Sequence, residues 1–312
     1  MLALALEIGG SHATCALVHD RNLVAQRTIH VDKPSFRHML PSLEKLVRDV
    51  IGHAGIPANN CAGLVLGFPG IVDSRSGRVI STNAKFNDAV EFDMQRWAKE
   101  QFGLRFVVEN DCRLALLGEH FTGAAMDAQD VVLVTLGTGI GAAAMIAGQP
   151  LRGKYDQAGC LGGHLPVVLA GRTCTCGNVG CAEAEVSTWA LPQICRDWPG
   201  FSGSELASAQ AIDFACLFAC ADRGDQVAKE VLARCYQIWG ALAVALIHAY
   251  SPEVLLFGGG VLARGRDILP PIRAHVHRHA WSPRDVVQIK TAALGPSAAL
   301  YGAVPLLREV LV

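Results

Sequence analysis

Cys174, Cys176 and Cys181 fall within eight positions, and His164 stands ten residues before the first of them. Three thiolates and one imidazole form a soft donor set that suits a tetrahedral Zn2+ ion. A Cys-x-Cys pair is poorly placed to form a disulfide with itself, and Gly177 and Gly180 let the backbone fold tightly round an ion. With all four positions filled by protein, such a site is closed and therefore structural rather than catalytic. The competing reading is a cluster of reduced thiols with a core histidine beside it.

Two glycine turns offer anion chemistry. Gly9, Gly10 and Ser11 follow one apolar run, and Gly137, Thr138 and Gly139 follow another. Backbone N–H groups in such turns can point at anionic oxygens because glycine tolerates unusual φ values. One such turn is ordinarily only a turn, whereas two that open matching halves read as a pair. Gly258, Gly259 and Gly260 form a third glycine run after a strand-like segment, and neither a Walker A pattern nor a Rossmann GxGxxG is present. Asp111 follows the strand-like RFVVEN at the start of a helical stretch. That places a carboxylate at the carboxyl end of a strand, where open α/β sheets bind ligands and where it could accept a proton. Asn110 or Asp111 could equally cap the helix, and spacing alone leaves both readings open.

The elements that must position these groups alternate. LALALEI (2–8) is an apolar run, and CALVHDRNLVAQRTIHV predicts a hairpin turning at Asp20-Arg21-Asn22. Leu43, Leu46, Val47, Val50 and Ile51 have helical spacing. GLVLGF (63–68), a polar loop, a helix around 91–101 and RFVVEN (105–110) follow, and after residue 120 the order repeats. VVLVTLGTGIGAAAMI predicts strand, glycine turn and strand; then come the cysteine segment, helices to about 250, the strands EVLLFGGGV (253–261) and VQIKTAA (287–293), and a closing helix. Two halves that each open on a strand and a glycine turn suggest an internal duplication.

Composition narrows the function classes. At 312 residues, 51% hydrophobic and 18% charged, with a net charge of −1, the chain suits two globular domains without an electrostatic footprint for nucleic acid. Eleven cysteines, an odd number spread along the chain, fit reduced thiols in a cytoplasmic protein rather than a disulfide framework. The N-terminus lacks a basic region and meets Glu7 early, so no export signal is expected. The uncharged stretches 131–151 and 235–252 are read as strand-turn-strand and a buried helix, not as membrane spans. His275, His277 and His279 are read as a solvated face, and Cys216 and Cys220 as core residues one helical turn apart.

EIGGS (7–11), GFPGIVD (67–73), VENDCRLALLGE (108–119), LGTGIG (136–141), GxxCxCGxxGCxE (171–183) and FGGGV (257–261) together resemble the ROK family of bacterial sugar kinases, over nearly the whole chain. The resemblance implies two duplicated actin-like, ribonuclease-H-like α/β domains flanking a central cleft. The expected division is 1–118, completed by the C-terminal helix 297–312, and 119–296, which carries the zinc segment. It implies an ATP- and Mg2+-dependent transfer of the γ-phosphoryl group to the primary hydroxyl of a hexose or N-acetylhexosamine, with Asp111 as general base. Asn83, Asn110, Asp111, His164 and Glu183 are implied for the sugar. Glu7, Gly9, Gly10, Ser11, Gly137, Thr138, Gly139 and Gly258 to Gly260 are implied for the nucleotide, with the two glycine turns facing each other across the cleft. The same His and three Cys ligands are implied for structural zinc, and a homodimer is implied as the assembly.

Four departures bear on that reading. Glu7 and Ser11 stand where the family has Asp and Thr, and STNAKFND lacks the usual Pro-Asn-Leu and Trp around Asn83. The family's Ala-Gly-Glu-x-Gly-His is here Ala158-Gly159-Cys160-Leu161-Gly162-Gly163-His164, so the glutamate at the sugar's C1–C2 edge is missing, replaced by Cys160 when aligned from the left or by Leu161 when aligned from the histidine. Losing a charged hydrogen bond costs roughly 1.5–3 kcal/mol, so a normal hexose binds on the order of 10–100 times more weakly, or the pocket serves another acceptor. Arg113 stands where a small or amide residue is usual and has no explanation at this level. Regulators of this family carry an N-terminal helix-turn-helix, whereas the first strand here is expected at about residue 2; that and Asp111 favour the kinase, with a non-catalytic sugar or nucleotide binder as the other class.

Overall fold

The strand alternation begins at once, and small and branched apolar side chains fill β1 (Leu2–Ile8), buried along nearly its whole length. The computed structural model describes residues 1–10, 12–31, 35–83, 85–282 and 287–311. In chain order β1 is followed by β2 (His12–His19), β3 (Asn22–His30), α1 (Phe36–Ala54), β4 (Leu64–Phe68), β5 (Gly70–Asp73), β6 (Arg78–Thr82), α2 (Met94–Phe102), β7 (Phe106–Asn110) and α3 (Asp111–Thr122). Then come β8 (Val131–Leu136), β9 (Ile140–Ile146), β10 (Gln149–Pro150), α4 (Ala182–Val186), α5 (Leu191–Arg196), α6 (Phe214–Asp222), α7 (Gln226–Tyr250), β11 (Val254–Gly258), α8 (Gly265–His279), β12 (Gln288–Thr291) and α9 (Ala298–Leu311).

Two five-stranded sheets repeat one plan. Their orders are β3-β2-β1-β4-β7 and β10-β9-β8-β11-β12. In the first, β1 pairs antiparallel with β2 and parallel with β4, which pairs parallel with β7. In the second, β11 lies parallel to both β8 and β12, and β9 and β10 form an antiparallel pair. A leading strand with a hairpin on one side and parallel strands on the other is the duplication that the glycine turns suggested. The predicted hairpin turn is present, with Asp20 at φ 51°, a left-handed conformation that aspartate tolerates.

The chain divides into two compact units, Met1–Gln129 with Ala143–Cys160 and Ala292–Val312, and Asp130–Ala142 with Leu161–Thr291. The boundary expected after residue 118 falls inside α3, an unbroken helix whose partner is α9. Those two helices touch backbone to backbone. A Cβ on Gly118 would collide with the Ala298 carbonyl, and one on Gly302 would collide with the carbonyl of Leu114. Gly118→Ala is accordingly expected to cost about 1–3 kcal/mol of stability, measured as a lower urea midpoint with an unchanged slope.

In the first unit, Leu4, Leu6, Leu17, Phe36, Leu43, Val47, Leu66 and Phe68 form a continuous core between the sheet and α1. Asp88 caps α1 by accepting from the backbone N–H groups of Phe36 and Arg37 at 2.9 and 2.8 Å. In the second, α7 has the length and apolarity of a membrane span, but 56% of that window is buried in the unit's own core, around Trp239. On α6 Cys220 is buried and Cys216 half-buried; His275 is half-buried on α8, while His277 and His279 are exposed.

Candidate active site and metal centre

In the first unit, strand register brings two acids to one edge of the sheet. Glu7 on β1 stands beside Gly67 on β4, and Gly67 stands beside Glu109 on β7. A Cβ on Gly67 would lie 3.1 Å from the Leu114 side chain, 3.7 Å from Glu7 Cγ and 3.8 Å from Asp111 Cα. The bare backbone there lets Glu7 and Asp111 approach each other. Burial pushes Asp111 up to about 6, against the hydrogen bonds it accepts from Cys112 and Asn110. Burial, and then the charge of Asp111, pushes Glu7 up to about 7. Two neighbouring carboxyls with raised affinity for protons are a common mark of an acid–base or cation site.

Asn110 resolves its own ambiguity. Its Oδ1 accepts from the N–H groups of Cys112 and Arg113, both at 3.1 Å, capping α3. Its Nδ2 donates to the Gly70 carbonyl at 3.0 Å and to Asp111 Oδ1 at 3.1 Å. The amide is spent on orienting the next residue. At the β1–β2 turn, Gly9 N–H donates to the His12 carbonyl at 2.8 Å, and Lys85 Nζ donates to the Gly10 carbonyl at 2.8 Å. Asn83 lies on an exposed bend just after β6. Ser11 lies outside the described residues.

Arg113, unexplained by sequence, is fully buried. Its Nε donates to the Leu151 carbonyl at 2.9 Å and its Nη1 to Glu109 Oε1 at 3.2 Å. Its Nη2 reaches the carbonyls of Asp156 and Ala158 at 2.6 and 3.0 Å and the Cys160 sulfur at 3.2 Å. Glu109 also takes Arg152 at 2.8 Å, and Arg152 goes on to Glu309 at 2.7 Å, so the charges alternate and cancel. This network ties residues 151–160 to the first unit, which is why they fall there. Two departures noted separately, Arg113 and Cys160, are thus in contact.

In the second unit the Gly137–Gly139 turn and the Gly258–Gly260 run lie side by side. Gly259 has φ 89°, and a Cβ there would collide with the Leu136 backbone at the end of β8. Only glycine permits β11 to end so close to the Gly137–Gly139 turn. That turn is pinned from outside, since its Gly137 and Thr138 carbonyls accept from the N–H groups of Thr188 and Trp189 at 3.2 and 3.1 Å. Glu183 is buried against it, accepting from Ile140 N–H at 2.9 Å and from the Trp189 indole at 3.3 Å. A Cβ on Gly163 would collide with the Ile140 carbonyl, so the extra glycine before His164 lets that turn pack on the start of β9. Ile140 is the point at which Glu183 and the His164 turn meet.

The donor atoms of His164, Cys174, Cys176 and Cys181 all lie within 4.8 Å of one another. Cys176 and Cys181 sulfurs are 3.7 Å apart, and Cys174 Sγ is 3.5 Å from His164 Nδ1. Ligands held at 2.0–2.3 Å round a tetrahedral centre are separated by roughly 3.4–3.8 Å, so these residues fit a zinc ion. Sequence reading passed over Glu185, which is buried and accepts from the Arg172 N–H at 2.6 Å and from Arg234 at 2.6 Å. It fastens the start of the cysteine loop to α4 and α7; an acid among the apolar positions of a short helix was its only signal.

A family model described as ROK family matches residues 3–310. Glucokinase of Halalkalibacterium halodurans is 31% identical over 252 residues, covering 77% of this chain and 74% of its own. Glucokinase of Thermotoga maritima is 28% identical over 250 residues, covering 78% of each chain. The crystal structure of a ROK family glucokinase from Streptomyces griseus in complex with glucose and AMPPNP superposes with a TM-score of 0.83 at 26% identity, over 99% of this chain and 100% of that one.

Proposed function

Because this chain belongs to the ROK family and is an ATP-dependent sugar kinase, we propose that it phosphorylates the primary hydroxyl of a hexose or N-acetylhexosamine with Asp111 as general base. The observation that carries this reading is the Asp111 carboxyl, raised to about 6 at the start of α3 and aimed by the Asn110 amide. Asp111 takes the hydroxyl proton as the acceptor oxygen bonds to the γ-phosphorus. The bond from γ-phosphorus to the bridging oxygen breaks, and ADP leaves with the electron pair.

The N–H groups of Gly10 and Gly139 support the phosphates, Gly9 and Gly137 shape the two turns by donating to the His12 and Gly139 carbonyls, and Gly258 to Gly260 admit the adenosine. Glu7, a hard oxygen donor beside the first turn, fits Mg2+, which when bound neutralises the phosphate oxygens. The sugar is held by Asn83, His164 and Glu183, with Asn110 acting through Asp111. Unpaired thiols throughout the described chain are compatible with a reducing cytoplasm, where we place the reaction.

His164, Cys174, Cys176 and Cys181 would hold zinc as a structural ion. With Nδ1 turned to the thiols, the His164 Nε2 keeps the proton and donates to a sugar hydroxyl. Cys181→Ser is expected to reduce zinc from one ion per chain to a small fraction of that. The melting temperature then falls by roughly 5–10 °C, the shift about 2–3 kcal/mol gives in a domain of this size. Metal analysis beside a melting curve checks both, and unchanged values would support the reduced-thiol reading.

The deciding experiment is ADP release with Mg-ATP across hexoses, N-acetylhexosamines and ketoses. Turnover on one sugar supports the proposal and names the acceptor that suits Cys160; no turnover on any sugar, with fold and zinc intact, favours a non-catalytic binder.

A further inference from the structure

Lys85 lies on the loop between β6 and α2, 75 positions from the Gly9–Gly10 turn, yet its ammonium sits on the Gly10 carbonyl at 2.8 Å. It is exposed, and among the described residues it has no carboxylate partner. An ammonium carries three donors, so a bond to one neutral carbonyl leaves its charge uncompensated. The backbone around it is held at a cost. Phe86, the next residue, has φ 59° and ψ 33°, a left-handed conformation unfavourable for a bulky side chain.

That conformation persists because the Phe86 ring is fully buried, packed edge-on to Phe68 at 6.0 Å. The loop is further closed by Thr82 Oγ1 donating to Asn87 Oδ1 at 2.5 Å. A strained, over-determined segment thus presents one free cation to the turn that follows Glu7. Phosphoryl transfer gains most from fixed positive charge where negative charge builds up.

We propose that Lys85 is a catalytic residue that binds the oxygens of the transferring γ-phosphoryl group at the Gly9–Gly10 turn. The proposal rests on the kinase reading above. Lys85 moves no proton; that task belongs to Asp111. A residue two positions from Asn83 then contacts the phosphoryl group while its own loop carries an acceptor contact, coupling the two substrates through one short segment.

The test compares wild-type protein with Lys85→Met and Lys85→Arg in steady-state kinetics, with sugar affinity measured separately by calorimetry. Lys85→Met is expected to lower kcat about 10–100-fold, with sugar Kd within about twofold, and Lys85→Arg to restore most of the loss. Inhibition by ADP with aluminium fluoride, which mimics the planar phosphoryl group, should weaken by the same factor while ADP alone binds as before. An unchanged kcat in Lys85→Met, or a loss confined to the sugar KM, would overturn the assignment and leave Lys85 as a clip on the turn. A wild-type protein without turnover would overturn the kinase reading itself, and this assignment with it.

Discussion

Asp111→Asn is expected to lower kcat by about 10²–10⁴-fold while sugar and ATP affinities change little. The substitution keeps the shape and the acceptor oxygen that meets the Asn110 amide and the Cys112 N–H, and it removes only the ability to take a proton. The wild-type pH profile carries the same information. Burial holds Asp111 near 6, so kcat/KM should be level above that pH and fall about tenfold per unit below it.

Stability runs the other way. A carboxyl whose folded value is raised contributes stability below its ordinary value near 3.8, and this is lost as pH rises through about 6. At neutral pH the ionised Asp111 therefore weighs against the fold, and Asp111→Asn should melt no lower than wild type at pH 7.5. An inactive variant that also melts well below wild type would show a structural role for Asp111 instead.

Arg113→Met should lower the free energy of unfolding by about 3–5 kcal/mol, the range for removing one member of a buried ion pair. The change strips the carbonyls of Leu151, Asp156 and Ala158 of a donor and leaves Arg152 as the one charged partner of Glu109 among the described residues, beside the Asn110 N–H. Its packing volume is largely kept, so the loss is electrostatic and hydrogen-bonding in origin. Adding Glu109→Gln should recover on the order of 1–2 kcal/mol, because the carboxylate left short of a partner is removed as well. Urea unfolding of the two single variants and the double variant closes the cycle. A single variant within about 1 kcal/mol of wild type would mean that the network is not holding residues 151–160.

The zinc donors were readable because they are local, with all four residues inside eighteen positions and two glycines marking the tight bend. Asp111 was readable as a carboxylate at a strand's end, but spacing could not separate base from cap. The structure gives the cap to Asn110 and a raised proton affinity to Asp111. Glu183 was readable only as a candidate for the sugar; its carboxylate also accepts from the Ile140 N–H just after the Gly137–Gly139 turn, a contact that only the return of the chain through α4 creates.

By itself, the sequence determined the elements and their duplication, since apolar alternation, helical spacing and glycine turns act over a few residues. It also determined the kinds of donor available for a metal and for phosphate. Tertiary structure decided which of these groups meet. Arg113 finds Cys160 47 positions away, Lys85 finds Gly10 at 75, and Arg152 finds Glu309 at 157. Their partners are set by strand order and helix packing. The cause is physical: a charged side chain must find its counter-charge or carbonyl in three dimensions, and nothing in its immediate sequence records which one.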